Sequence, residues 1–194
     1  MTTPKKTGLF RQFLKRPRDI GAITPSSRQL ALAMIHQVDW ERARTVVEYG
    51  PGTGAITKHV LARVDDRHDF FAVEINEGLV ATLSERFPDL QVYHDSATHI
   101  EAICETHGVE GIDAVISGLP WTVFPITLQQ ELVDSMIGML QPTGVFVTFA
   151  YLHALRLKGA RRFRAQLEDS FASVSVSRPV WLNLPPAIVY TCRR

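Results

Sequence analysis

Glu48 and the residues around it, Val46-Val47-Glu48-Tyr49-Gly50-Pro51-Gly52-Thr53-Gly54, have the types and spacing that point most directly to chemistry. An apolar strand runs into three glycines spaced two apart and then into a helical segment. Lacking Cβ atoms, these glycines let the backbone turn sharply and lie close against a ligand, while the first amides of the following helix point into the same space. Glu74 ends a second apolar run, Phe70-Phe71-Ala72-Val73, 20 residues after Gly54, where a carboxylate can accept both hydroxyls of a ribose. Together the two segments describe a nucleotide-binding crevice.

The spacing narrows the nucleotide. A dinucleotide site uses G-x-G-x-x-G, whose last glycine falls one residue later than Gly54 does here. The upstream acid, Glu48, repels a pyrophosphate but attracts the amino or sulfonium cation of S-adenosylmethionine. On these residues the chain resembles class I S-adenosylmethionine-dependent methyltransferases. The resemblance implies that S-adenosyl-L-methionine is bound, and S-adenosyl-L-homocysteine released, by Glu48, Gly50, Gly52, Gly54, Glu74, Ile75, Asp95, Ser96, Ala97 and Ser117. In His94-Asp95-Ser96-Ala97, Asp95 is expected to meet the adenine amino group, or alternatively to cap the next helix.

The acceptor side is expected at Ser117-Gly118-Leu119-Pro120-Trp121, where a proline and a glycine fix the backbone beside the transferred methyl group. This run resembles the Asn-Leu-Pro-aromatic signature of amino methyltransferases acting on rRNA adenine, but Ser117-Gly118 replaces the asparagine. Serine and glycine leave room for a flexible primary amine. The sequence from residue 9 onward, with Phe13-Leu14-Lys15 and Gly21-Ala22-Ile23-Thr24-Pro25-Ser26-Ser27-Arg28, resembles the short bacterial phospholipid N-methyltransferases. What this implies is N-methylation of phosphatidylethanolamine, through mono- and dimethyl forms, to phosphatidylcholine. Ser117, Gly118, Leu119, Pro120, Trp121 and Arg28 are then the substrate-binding residues. An alkylamine, with a pKa of roughly 10, must lose a proton before attack. Tyr151 and His153 are candidates to accept it or to orient the amine, and Trp121 and Tyr151 to offer aromatic faces to a methylated ammonium. Each of these residues also has an ordinary packing role available.

The elements that must position these groups alternate. Strands are expected near 45–49, 70–74, 91–94, 112–117 and 144–150, with helices at 26–38, 77–87 and 128–139. After Phe171, strands at 172–182 and 187–192 are joined through Pro185-Pro186 as an antiparallel hairpin. The expected fold is therefore α/β: a Rossmann-like seven-stranded class I methyltransferase sheet, mostly parallel, with helices on both faces and a C-terminal hairpin. The expected elements run to Arg194 without the helical RNA-binding domain that the rRNA enzymes carry.

At 194 residues, 45% of them hydrophobic, the chain suits one catalytic domain over 21–194 preceded by a separate segment over 1–20. Cys104 and Cys192 lack metal-ligand spacing and read as packing residues. The net charge of +1 hides a placed excess. Lys5, Lys6, Arg11, Lys15, Arg16 and Arg18 face only Asp19 in the first twenty residues, while the rest of the chain is net acidic. Thr3-Pro4 and Pro17 bound a short helix whose apolar face is Leu9, Phe10, Phe13 and Leu14, an arc of roughly 140°. Arg11 and Lys15 lie opposite this face and Arg16 borders its edge, and Lys5, Lys6, Lys15 and Arg16 are the basic residues expected to meet a membrane. Such a helix can lie on an anionic bilayer surface; packing on the domain, a basic tail or nucleic-acid binding are the alternatives. A second basic group, Arg156, Lys158, Arg161, Arg162 and Arg164, can hold phosphate or be a solvated helix face. The expectations that complete this reading are a monomeric cytoplasmic enzyme at the inner face of the membrane, an aminophospholipid as partner, and neither metal nor nucleic acid. Another amine acceptor, such as an ornithine lipid or rRNA adenine N6, and a membrane-binding module without activity are the other readings.

Overall fold

A computed structural model describes residues 26–194, so the expected membrane helix, with Lys5, Lys6, Leu9, Phe10, Phe13, Leu14, Lys15 and Arg16, lies outside the described residues. The architecture is built around β1 (Thr45–Tyr49), which is buried from Val46 onward. It pairs in parallel with β2 (Asp69–Glu74) on one side and β4 (Ile112–Ser117) on the other. The sheet continues outward through β3 (Gln91–His94) beyond β2 and β5 (Leu140–Tyr151) beyond β4, both parallel. β7 (Ala187–Arg193) then adds antiparallel to β5, and β6 (Ser173–Val176) antiparallel to β7, giving the seven-stranded order β3-β2-β1-β4-β5-β7-β6. The expected mixed sheet with its C-terminal hairpin is thus observed.

The central strands are apolar on both faces because both are covered, as a parallel sheet requires. Val46, Ala114, Ile116 and Val147 pack with α1 (Arg28–Ile35) and α2 (Thr57–Leu61) through Leu30, Met34, Ile35 and Val60. Val47, Val115 and Phe146 pack on the other side with α4 (Ile100–His107), α5 (Ile126–Met139) and α6 (Lys158–Ser170), through Ile103, Met136 and Phe163. α3 (Glu77–Arg86) follows β2. Local chemistry sets several ends: Ser27 Oγ accepts from Leu30 N at 3.2 Å, Asn76 Oδ1 from Leu79 N at 3.1 Å, and Gly108 closes α4 at φ +88°. Asp113 Oδ2 accepts from Arg44 N and Thr45 N at 2.8 and 2.9 Å, and so fixes where β1 begins.

One expected element is shorter than its apolar pattern suggested. The segment 172–182 holds strand geometry only through Val176, because Pro179 has no N–H to continue the ladder. Val180 returns in an isolated bridge to Ala187, leaving Trp181, Leu182 and Leu184 in a loop. The late basic run lies on and just before α6. Arg161, Arg162 and Arg164 are exposed, while Ala160, Phe163 and Leu167 are buried. Both cysteines are buried and free, and burial pushes their thiols up to about 11 for Cys104 and about 12 for Cys192, in keeping with packing roles.

Candidate active site

The glycine loop lies where β1 meets α2, at the point where strand order reverses between β1 and β4. Gly50, Gly52 and Gly54 all have left-handed φ, at +66°, +59° and +81°. Two of them answer to the protein's own packing. A Cβ on Gly50 would stand 2.6 Å from Leu119 Cδ2, and one on Gly54 2.5 Å from Phe87 Cε2. Gly52 differs: a Cβ there would meet nothing within 4 Å, so its backbone borders open space that a ligand can enter. Gly118 N donates to Tyr49 O at 2.8 Å, and Gly50 N to Val73 O at 2.9 Å, which ties together the chain leaving β1, β2 and β4.

Two carboxylates sit under this loop. Glu48, within β1, is fully buried, and neither of its oxygens has a hydrogen-bond partner. Burial is the main cause of a pKa raised to about 8, and the charge of Glu74 adds to it. Thr57 opposes the shift, although its own hydroxyl meets no partner in hydrogen-bond geometry. Glu74, 6% exposed at the end of β2, is better served: Oε2 accepts from Gly52 N at 3.2 Å and Oε1 from Asn76 N at 2.9 Å. Its pKa is also raised, chiefly by burial, against these amide contacts. Each oxygen keeps a second lone pair for a hydroxyl.

Beyond β4, the expected acceptor segment does line a cavity. Gly118, Leu119, Pro120 and Trp121 share a space of about 220 Å³ with Phe149, Tyr151, His153, Leu157 and Pro185, and most of its wall is apolar. Ser117 does not open into it. That residue is fully buried, and its Oγ accepts from Trp121 Nε1 at 3.0 Å and from Leu119 N at 3.2 Å. Gly118 leaves no room for an amine of its own, because a Cβ there would stand 2.6 Å from Gly50 O; glycine at this place is what the close crossing of two loops requires. Trp121, 1% exposed, is stacked on Phe163 at 4.8 Å and 13°, with Phe146 edge-on, so its packing role is the one realised. Gln129 Nε2 donates to Trp121 O and holds the turn. Tyr151 and His153 stack on each other at 5.7 Å beside the cavity, and burial raises the Tyr151 phenol above its ordinary value.

The remaining expected residues fall at the rim or away from it. Asp95 is exposed, and its Oδ1 accepts from Ser96 N at 2.7 Å and meets His99 Nδ1 at 2.9 Å, an arrangement that organises the turn before α4. Ser96 and Ala97 are buried in that turn, and Ile75 is half-buried against the core. Arg28, the first residue of α1, is exposed and does not line the cavity. Sequence reasoning missed Phe149, Leu157 and Pro185 as wall residues, and Asn183 as the anchor behind them. The adjacency of 149 and 157 to Tyr151 and His153 was the only signal available.

With this geometry in view, comparison with known proteins is decisive at the level of family. No protein-family model matches the chain. The ornithine lipid N-methyltransferase of Singulisphaera acidiphila is 32% identical over 185 residues, covering 94% of this chain and 92% of that enzyme. This chain belongs to that enzyme's family and is a class I S-adenosylmethionine-dependent methyltransferase. The ribosomal RNA small subunit methyltransferase A of Dechloromonas aromatica is 44% identical over 64 residues, but these are only 24% of its length. Among solved structures, 1,6-didemethyltoxoflavin-N1-methyltransferase of Burkholderia thailandensis, with bound 1,6-didemethyltoxoflavin and S-adenosylhomocysteine, aligns with TM-score 0.70 at 17% identity. It covers all of this chain and 91% of its own. Human methyltransferase-like protein 13 in complex with SAH aligns with TM-score 0.61 at 19% identity, over 85% of this chain and 78% of its own. These structural likenesses establish the fold.

The methyltransferase residues fit the cofactor of the family. Glu48 is a sealed carboxylate without a partner, which costs folding energy unless a cation comes to rest nearby. Gly52 leaves its backbone open beside that carboxylate's neighbour, Glu74. An adenosyl group bearing positive charge at one end and a ribose diol in its middle answers both features.

Proposed function

We propose that this protein N-methylates the amine headgroup of a membrane lipid, with S-adenosylmethionine as donor. The observation that carries the reading is the mostly apolar cavity walled by Phe149, Leu157 and Pro185 and by Leu119, which also packs against Gly50 of the glycine loop. A lipid amine enters such a space together with the first part of an apolar molecule, whereas a nucleic-acid acceptor would call for cations on the wall. The near full-length likeness to an ornithine lipid N-methyltransferase supports an ornithine-type lipid as the acceptor, and the sequence motifs support phosphatidylethanolamine. Both offer the same chemistry, a primary alkylamine on a lipid.

When bound, the cofactor supplies an electrophilic methyl group on a sulfonium centre. Glu48 and Glu74 would hold its cationic end and its ribose, with Gly52 giving backbone access and Asp95 at the rim. The protein's own contribution to transfer is alignment and exclusion of water. Ser117 and Gln129 clamp Trp121, Trp121 backs the Leu119-Pro120 wall, and the wall fixes where the amine can stand. The Tyr151 phenol, with its pKa raised by burial, stays protonated at neutral pH and so orients the amine rather than taking its proton. The proton passes to His153, exposed beside it, or to water.

Mass spectrometry of lipids from cells expressing the protein tests this. A ladder of 14-dalton steps on ornithine lipid or on phosphatidylethanolamine identifies the acceptor class and the number of methyl groups. An unchanged lipid profile alongside methylated rRNA would overturn the proposal.

A further inference from the structure

Trp181, Leu182 and Leu184 are 70%, 74% and 77% exposed, the most solvent-facing large apolar side chains among the described residues. They sit in one tight loop, and the residue between Leu182 and Leu184 is buried. Asn183, 2% exposed, accepts from Ser27 N at 2.9 Å, and its Nδ2 donates to Pro185 O at 2.7 Å. The loop is therefore fastened at its centre and presents three apolar side chains outward from a fixed base. Its closing residue, Pro185, lines the acceptor cavity, and Pro186 O accepts from Leu152 N at 2.9 Å beside Tyr151 and His153. Leu157 at 50% exposure and Val123 at 36% complete an apolar margin on the same cavity.

Resting on the lipid-substrate reading above, we infer that this loop is a membrane-insertion element that seats the cavity mouth on an anionic bilayer. Three exposed side chains of this size in water are unfavourable unless they are covered, and a clustered patch marks an interaction surface. The charges around them favour a bilayer as the cover. Residues 177–187 and 151–166 contain no carboxylate, while Arg178, Arg156 and Lys158 adjoin the apolar positions and suit anionic headgroups. Tryptophan and leucine on a rigid turn are suited to the boundary between headgroups and acyl chains. The tether from Asn183 to Ser27 also joins this loop to the residue that caps the start of α1. A lipid amine could then pass from bilayer to cavity without its apolar portion entering water.

The test uses the full chain and vesicles of phosphatidylethanolamine and phosphatidylglycerol carrying lipids brominated at stated acyl depths. Trp181 emission is expected to shift to the blue on vesicle addition and to be quenched by shallow bromines, and Trp181→Ser is expected to lose that quenching. Trp181→Ser and Leu182→Ser should each weaken vesicle binding about tenfold while leaving cofactor affinity and the melting temperature unchanged. A Trp181 contribution, taken as the parent spectrum minus that of Trp181→Ser, that is already blue-shifted without vesicles and insensitive to brominated lipid would mean that the chain's own residues 1–25 or a second copy cover the patch, and would overturn the inference. So would a double variant that binds vesicles as tightly as the parent. Lipid methylation persisting without quenching sinks the insertion element alone; quenching without any lipid methylation sinks the proposed function alone.

Discussion

At the level of single residues, the chemistry turns on a carboxylate that the fold keeps from water. The folded Glu48 has a pKa of about 8 against an ordinary 4.5, so the folded protein retains a proton that the unfolded chain gives up as pH rises between those values. Stability is therefore lost with rising pH in that window, by about 1.4 kcal/mol per unit at the steepest, and the loss ends above the folded value. Thermal melts of the cofactor-free protein should fall from about pH 5.5 to about pH 7.5, and Glu48→Gln should flatten that fall. Cofactor binding should reverse the preference, because a nearby cation favours the ionised carboxylate. Calorimetry near neutral pH, in two buffers of different ionisation enthalpy, is expected to show proton release for the parent and none for Glu48→Gln. Equal heats in both buffers for the parent would contradict this role. The glycines separate in the same manner. Gly52→Ala should fold at a cost of about 1–2 kcal/mol, from its left-handed φ, and weaken cofactor binding. Gly118→Ala should destabilise by about 1–3 kcal/mol through its contact with Gly50 O. Chemical denaturation and cofactor titration, run on both, tell the two apart.

The elements were legible in the sequence wherever an apolar run ended in a distinctive residue. β1, β3 and β4 fall at the expected residues because Tyr49, His94 and Ser117 each end an apolar run before a turn. α2, α4 and α6 were not placed, since a five-residue helix lacks periodicity and α6 is largely charged on its exposed side. The role of Ser117-Gly118 was not legible either. Sequence shows small residues; only the fold shows that one holds an indole and the other lets two loops cross. Ser117→Ala should leave Trp121 Nε1 buried without an acceptor, costing about 1–3 kcal/mol and slowing turnover more than it weakens cofactor binding. Steady-state kinetics set beside cofactor titration checks this. If cofactor affinity falls instead and turnover of bound enzyme is unchanged, the clamp on the acceptor wall is not what Ser117 supplies.

Across the whole molecule, the glycine loop, the carboxylates and the acceptor cavity lie along the carboxyl edge of one sheet, where an open parallel sheet gathers its ligands. The catalytic half could be read from sequence because strand ends recur with fixed spacing. The loop at 181–184 could not, since its apolar residues matched a strand pattern until Pro179 broke the ladder. A docked protein should depend on vesicle surface in its activity: added salt should lower methylation of lipid in anionic vesicles while leaving cofactor affinity unchanged, because headgroup attraction is screened. The most direct measurement supplies purified protein with methyl-labelled S-adenosylmethionine and vesicles containing either ornithine lipid or phosphatidylethanolamine, with rRNA as a third acceptor. Label is expected in one of the two lipids and absent from RNA. Label in RNA, or none in either lipid from a protein that binds the donor, would contradict N-methylation of a lipid amine.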